Sequence, residues 1–122
     1  MKLQESGENY LETIFLLNQK NGSVRSIDVA NELNFSKPSI SRAMRILKEA
    51  GFILIEKNGQ IQLTEAGYHR AKAIYERHCL IKDFLIKTLQ ISDDLADKDA
   101  CRIEHVISDE TFEQMKRLFQ KE

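Results

Sequence analysis

A mainly α-helical fold with a small β-hairpin wing is predicted from three observations on the sequence. Two short helical patterns, Ile27-Val29-Ala30-Leu33 and Ile40-Ala43-Met44-Leu47, are separated only by the tight stretch Asn34-Phe35-Ser36. Two four-residue runs, Phe52-Ile53-Leu54-Ile55 and Gln60-Ile61-Gln62-Leu63, then flank Glu56-Lys57-Asn58-Gly59, with Asn-Gly as a hairpin signal. Everything after Thr64 returns to helical periodicity. This order is that of a winged helix-turn-helix followed by a helical domain. We assign residues 1-70 to the winged helix-turn-helix domain and residues 71-122 to a helical domain.

Each element has a local cause. Ser6 is read as the N-cap of a first helix in which Tyr10, Leu11, Ile14, Phe15 and Leu17 recur at helical spacing to about Asn18, and Asn21-Gly22 ends it. The second helix starts after Ser26. The third opens on Ser36-Lys37-Pro38-Ser39, a hydroxyl cap with a proline in the first turn, where a missing N–H costs no helical bond, and stops at Gly51. A long helix from Thr64 to about Leu89 buries Ala66, Ala73, Ile74, Leu80, Ile81, Phe84 and Leu85. Ser92 caps a fifth helix and Ser108 a last one bearing Phe112, Met115, Leu118 and Phe119.

Composition narrows the function classes. A chain of 122 residues supports one domain or two small lobes, and its burial is often completed by dimerising. No apolar run approaches the length of a membrane span, and the opening Met1-Lys2-Leu3-Gln4-Glu5-Ser6 lacks the apolar core of a secretory signal, so a cytoplasmic location is expected. Cys79 and Cys101 are then expected as thiols, Cys79 as a small core residue. The net charge of -1 is unevenly spread. Residues 36 to 60 carry five bases against two acids, and residues 93 to 122 carry nine acids against five bases. One end suits a polyanion and the other suits cations.

In a helix-turn-helix the second helix lies in the major groove, its N-terminal residues at base edges, while flanking cations hold phosphates. Here that helix offers Ser36, Lys37, Pro38, Ser39, Ser41, Arg42 and Arg45, with Lys57 at the wing tip and Arg25 ahead of the second helix for backbone contacts. The ordered set of helix, turn, capped basic helix and wing favours double-stranded DNA over an ordinary solvated face. Further on, Cys101, Glu104 and His105 fall on one face of their helix. A thiol, a carboxylate and an imidazole suit a first-row transition metal better than calcium or magnesium. A catalytic thiol is disfavoured, because no oxyanion loop or orienting third group accompanies the pair, and no enzyme motif occurs elsewhere.

The stretches Phe35 to Ser41, Leu63 to Gly67 and, most specifically, Ala100-Cys101-Arg102-Ile103-Glu104-His105-Val106-Ile107-Ser108-Asp109 resemble the diphtheria toxin repressor family of iron- and manganese-dependent regulators, over essentially the whole chain. The resemblance implies a homodimeric repressor that binds a pseudo-palindromic operator when loaded with Fe(II) or Mn(II), in the short form without an SH3-like domain. It implies Cys101, Glu104, His105 and His78 as ligands, with Asn9 and Glu12 on the first helix at positions where the family places ligands. At the family's ancillary site Lys82 replaces a glutamate and Asp97 a histidine. His69 is expected at the surface, and the dimer surface is expected to draw on Leu95, Val106, Ile107, Phe112 and Leu118. The alternative is a winged-helix regulator that is not metal-responsive, its Cys-Glu-His face merely structural.

Overall fold

The computed structural model of the chain describes residues 5–120. Its elements run α1 (Glu5–Asn21), α2 (Ser26–Leu33), α3 (Lys37–Glu49), β1 (Ile53–Ile55), β2 (Ile61–Leu63), α4 (Glu65–Leu89), α5 (Asp93–Val106) and α6 (Asp109–Gln120). The expected order of helix-turn-helix, hairpin and further helices is present, and the chain divides into two compact units between Lys72 and Ala73, within α4. Residues 1–4 of the polar opening lie outside the described residues.

In the first unit, α1, α2, α3 and the hairpin enclose an apolar core. Leu11, Ile14, Val24, Val29, Ile40, Met44, Leu47, Ile53 and Ile61 are all 2% exposed or less. α1 is already helical at Glu5, where the described residues start, so Ser6 lies within the helix and is not its cap, and α1 extends to Asn21, past the Asn18 expected from the apolar stripe. Gly22, at φ +79, takes the left-handed position that closes it, its N–H donating to the Asn18 carbonyl at 2.8 Å. α2 is capped by Asp28, whose carboxylate accepts from the Arg25 N–H at 2.9 Å. Only Val29 and Ala30 of its expected stripe are fully buried; Ile27, in the first turn, is 40% exposed. Asn34 at φ 60 ends α2. α3 opens as expected: Ser36 is the N-cap, its hydroxyl accepting from the Ser39 N–H at 3.4 Å, with Pro38 in the first turn.

β1 and β2 pair antiparallel with Ile53 opposite Leu63 and Ile55 opposite Ile61. The turn closes with the Gly59 N–H donating to the Glu56 carbonyl at 2.9 Å, and Gly59 takes φ +90. A third backbone edge joins this pair, as the Ile61 N–H donates to the Val24 carbonyl at 2.8 Å and Arg25 bridges Gln60. The wing is fixed to the start of α4 by Thr64. Its hydroxyl donates to the Gly51 carbonyl at 2.7 Å and accepts from the Gly67 N–H at 3.0 Å, while its own N–H donates to the Phe52 carbonyl at 3.0 Å. The sequence Leu63 to Gly67 thus has a local task. Gly67 is required because the Phe52 carbonyl group passes directly over it, leaving no room for a Cβ. Ala66 and Ala73 are exposed, contrary to the expected stripe of α4; Gly67 and Ala71 take the buried positions on that part of the helix.

In the second unit, Ile81 and Leu85 of α4 pack with Ala96 and Ala100 of α5, flanked by Phe84, Ile103, Ile107, Phe112 and Met115. The two alanines present little bulk to α4, so Ile81 and Leu85 fill the space between the helices. Of the residues expected at the dimer surface, Ile107 and Phe112 are half-buried and pack against this core, and Leu95, Val106 and Leu118 are 48%, 68% and 59% exposed. Arg77 ties the end of α5 to α6: it reaches the Glu104 and Ile107 carbonyls at 3.4 and 3.5 Å, pairs with Asp109 at 2.8 Å and lies over the Phe112 ring. No helix among the described residues is long and apolar enough to cross a membrane.

The close approach at Gly67 makes a sharp prediction. Gly67→Ala should lower the unfolding free energy by about 1–3 kcal/mol, the usual penalty for forcing volume into a packed site, and urea denaturation followed by circular dichroism measures it. A change within ±0.5 kcal/mol would contradict the contact.

Candidate functional site

Two sets of side chains carry chemistry, one in each unit. In the first, α3 is sharply two-sided. Ile40, Ala43, Met44 and Leu47 face the core, so 3.6-residue periodicity leaves Lys37, Ser41, Arg42 and Arg45 exposed on the other side. Ser36, Pro38 and Ser39 are exposed at its N-terminus. The two serines are partly committed: Ser36 accepts at the cap and donates to the Ser39 hydroxyl at 3.0 Å. The long cations and Ser41 therefore have the greater freedom to reach outward. Arg25 and Lys57 are exposed as expected, the backbone of Arg25 joining the start of α2 to the wing strand through Gln60. An apolar crevice of about 260 Å³ lies between α2 and the start of α3, lined by Ser26, Ile27, Ala30, Lys37, Ile40 and Ser41.

In the second unit the unusual residue is Glu104. Its side chain is 0% exposed, on a helix whose other buried residues are Ala96 and Ala100. A buried carboxylate is costly unless cations or donors surround it. Two imidazoles lie against it: His78 Nδ1 is hydrogen-bonded to Glu104 Oε2 at 2.9 Å, and His105 Nε2 stands 3.1 Å from Glu104 Oε1 without hydrogen-bond geometry. The His105 side chain is 3% exposed and that of His78 is 15% exposed. α4 supplies His78, and α5 supplies Glu104 and His105. These separations fit a metal, since neighbouring ligands on a cation bonded at about 2.1 Å stand about 3 Å apart. The two imidazole nitrogens and one carboxylate also form a borderline donor set suited to first-row transition metals.

The other expected ligands are placed differently. Cys101, one turn before Glu104, is exposed. Glu12 is 6% exposed in a stretch of α1 that includes the core residues Leu11, Ile14 and Phe15, so it is no part of a solvated acidic edge; Glu8, its neighbour one turn earlier, pairs with Arg70 at 2.7 Å. Asn9 is half-buried, and its backbone carbonyl accepts from the Thr13 hydroxyl at 2.8 Å. His69 is at the surface beside Glu65, and Cys79 is half-buried.

The cluster extends beyond the residues singled out as ligands. His78 Nε2 lies 2.9 Å from Asp97 Oδ1, so carboxylates hold both ring nitrogens. Lys82 stands 3.0 Å from Asp93 and 3.6 Å from Asp97. The hydrogen bond with His78 holds the Asp97 carboxyl below the usual range, while the hydrogen bond to Asp93 raises the Lys82 ammonium. Asp97 and Glu104 are seven residues apart, a spacing that places them two turns apart on one helical face; only the packing of α4 against that face reveals that a histidine ring lies between them.

Comparison with known proteins finds a family match for each half of the chain. Residues 2–61 match the family described as iron dependent repressor, N-terminal DNA binding domain, and residues 64–121 match iron dependent repressor, metal binding and dimerisation domain. An uncharacterized helix-turn-helix transcriptional regulator of Methanocaldococcus jannaschii is 32% identical over 98% of this chain and 96% of its own length. Transcriptional regulator MntR of Escherichia coli is 31% identical over 93% of this chain and 73% of its own. Among solved structures, the manganese regulator SloR is similar with a TM-score of 0.82 and 26% identity over 98% of this chain, which spans about half the length of that one, 55%. The chain thus belongs to the iron-dependent repressor family of DNA-binding transcriptional regulators, the family that the motif from Ala100 to Asp109 resembles.

Proposed function

We propose that the chain is an Fe(II)- or Mn(II)-dependent repressor that binds a pseudo-palindromic operator as a homodimer and controls metal homeostasis. The observation that carries this reading is the buried Glu104 carboxylate between two imidazoles, a charge that a packed helix pair has little reason to keep unless a cation binds there. His78, Glu104 and His105 form the centre of the ligand set, and Cys101 joins them from one turn earlier on α5. Glu12, a buried acid on α1, and Asn9 one turn earlier complete the shell from the first unit. A bound cation supplies positive charge for Glu104 and Glu12 and cross-links the helices that carry its ligands.

On the DNA side, Lys37, Ser41 and Arg42 read base edges from the exposed face of α3, with Ser36, Pro38 and Ser39 at its start. Arg45, Arg25 and Lys57 hold phosphates. The exposed Leu95, Val106 and Leu118 supply apolar surface for the dimer. Because α1 is part of the unit that contains α3, ligation by Glu12 and Asn9 would favour the conformation suited to two major-groove contacts. Metal then tightens DNA binding, and DNA tightens metal binding by the same factor, typically about 1–3 kcal/mol. Thiolate softness favours Fe(II) at Cys101, and the carboxylate of Glu12 favours Mn(II).

Operator duplexes selected from a random pool and tested by gel shift check the reading. DNA affinity should rise at least about 5-fold with Mn(II) or Fe(II) over chelator, and Glu104→Gln or His105→Ala should abolish the rise. Equal affinity with metal and chelator would favour a regulator that senses no metal. Cys101→Ala should weaken the Fe(II) response more than the Mn(II) response. Arg42→Ala and Arg45→Ala can be separated by salt: loss of a phosphate contact lowers the slope of log affinity against log salt by about 1, whereas loss of a base contact costs about 1–3 kcal/mol for the preferred sequence alone. Val106→Glu with Leu118→Glu should convert the dimer to monomer in sedimentation velocity. A dimer retained at micromolar concentration would place the interface elsewhere.

A further inference from the structure

The ring of His78 is held at both edges, and only one of those edges belongs to the ligand cluster. Nδ1 meets Glu104 Oε2 at 2.9 Å, and Nε2 meets Asp97 Oδ1 at 2.9 Å. Asp97 is anchored in turn: Lys82, one turn beyond His78 on α4, places its ammonium 3.6 Å from Asp97 and 3.0 Å from Asp93. Asp93 and Asp97 are an i, i+4 pair of like charges at the start of α5, an arrangement that is unfavourable without a cation nearby. Lys82 meets that need from the neighbouring helix and keeps the Asp97 carboxylate directed at the ring.

An imidazole has two nitrogens that can bind a metal, and the hydrogen bond made by one decides which is offered. We propose that Asp97, anchored by Lys82, is the positioning residue that commits Nε2 of His78 to itself and so presents Nδ1 to the metal beside Glu104 and His105. This rests on the metal-binding reading above. Lys82 fits the role because an ammonium holds a carboxylate without competing for the metal as a ligand. The arrangement exists before any cation arrives, so the ring pays no orientation cost on binding.

The test uses the full chain, with Mn(II) affinity measured by electron paramagnetic resonance of the free ion. Asp97→Ala should weaken Mn(II) binding about 10–100-fold, the usual effect of losing an outer-sphere partner of a ligand histidine. Asp97→Asn, whose amide oxygen still accepts from Nε2–H, should recover much of the loss, and Lys82→Met should weaken binding less than Asp97→Ala. In a His78→Ala background, Asp97→Ala should have less than a 2-fold effect, because Asp97 acts only through the ring; a purely structural role would persist there. In the Zn(II)-loaded protein, long-range proton–nitrogen spectra should show His78 coordinated through Nδ1 with the proton on Nε2. Coordination through Nε2, an affinity within 2-fold of wild type for Asp97→Ala, or an undiminished Asp97→Ala effect without His78 would overturn the assignment. Should Asp97→Ala fail to fold, the isosteric Asp97→Asn and the tautomer of the wild-type protein still decide it. Failure of the wild-type chain to bind Mn(II) or Zn(II) at all would overturn the metal reading itself, and this assignment with it.

Discussion

The burial of one carboxylate organises the second unit. Glu104 sits on a helix that contacts its neighbour through alanines, and burying a carboxylate in such a place costs several kcal/mol unless cations or donors surround it. His78 comes from α4 and His105 from the next position along α5, so the compensation joins two helices instead of staying within one. Arg77, the residue before His78, holds the carbonyl end of α5 and the start of α6. The ligand helix is therefore held at the site and at its terminus from adjacent positions of α4. Ala96 and Ala100, two turns and one turn before Glu104, pack on Ile81 and Leu85 of α4 and align the same face of α5 with it.

In the first unit the division of labour is cleaner. Packing uses one side of α3, capping uses Ser36 and Ser39, and the remaining polar side chains have no structural duty that would restrain them. Charge is divided in the same way: a chain near neutrality concentrates cations on α3 and the wing, the part suited to a polyanion, and acids in its C-terminal segment. The wing owes its position to Thr64 and Gly67, whose hydrogen bonds and missing side chain let the strand ends meet α4. A family of DNA-binding regulators has good reason to spend sequence on such a joint.

Much of this was legible beforehand, because the signals were local. Ser36-Lys37-Pro38 announces the start of α3, Asn58-Gly59 announces the turn, and helical spacing puts Glu104 and His105 side by side on α5, while Cys101, grouped with them on the same grounds, is exposed. Errors arose where local pattern met tertiary packing. Ile27 fits the periodicity of α2 but is exposed, and Ala66 and Ala73 fit that of α4 but yield the interior to Gly67 and Ala71. Ile107 and Phe112, expected at a dimer surface, are half-buried and pack against the core of the second unit, a contact that their spacing alone does not show. The double grip on His78 could not be read at all, since Asp97 and His78 are nineteen residues apart on different helices. Even with the family in view, Asp97 stood out only as a substitution, and its partner emerged from the packing.

The central claim is that a metal held by His78, Glu104 and His105 is coupled to the DNA-reading helix. Its most direct test approaches the coupling from the metal side. Mn(II) affinity should be measured by electron paramagnetic resonance with and without saturating operator duplex, at fixed salt. Reciprocity requires that operator raise Mn(II) affinity by the same factor, at least about 5-fold, by which Mn(II) raises operator affinity. Mn(II) affinity unchanged by operator would contradict the account.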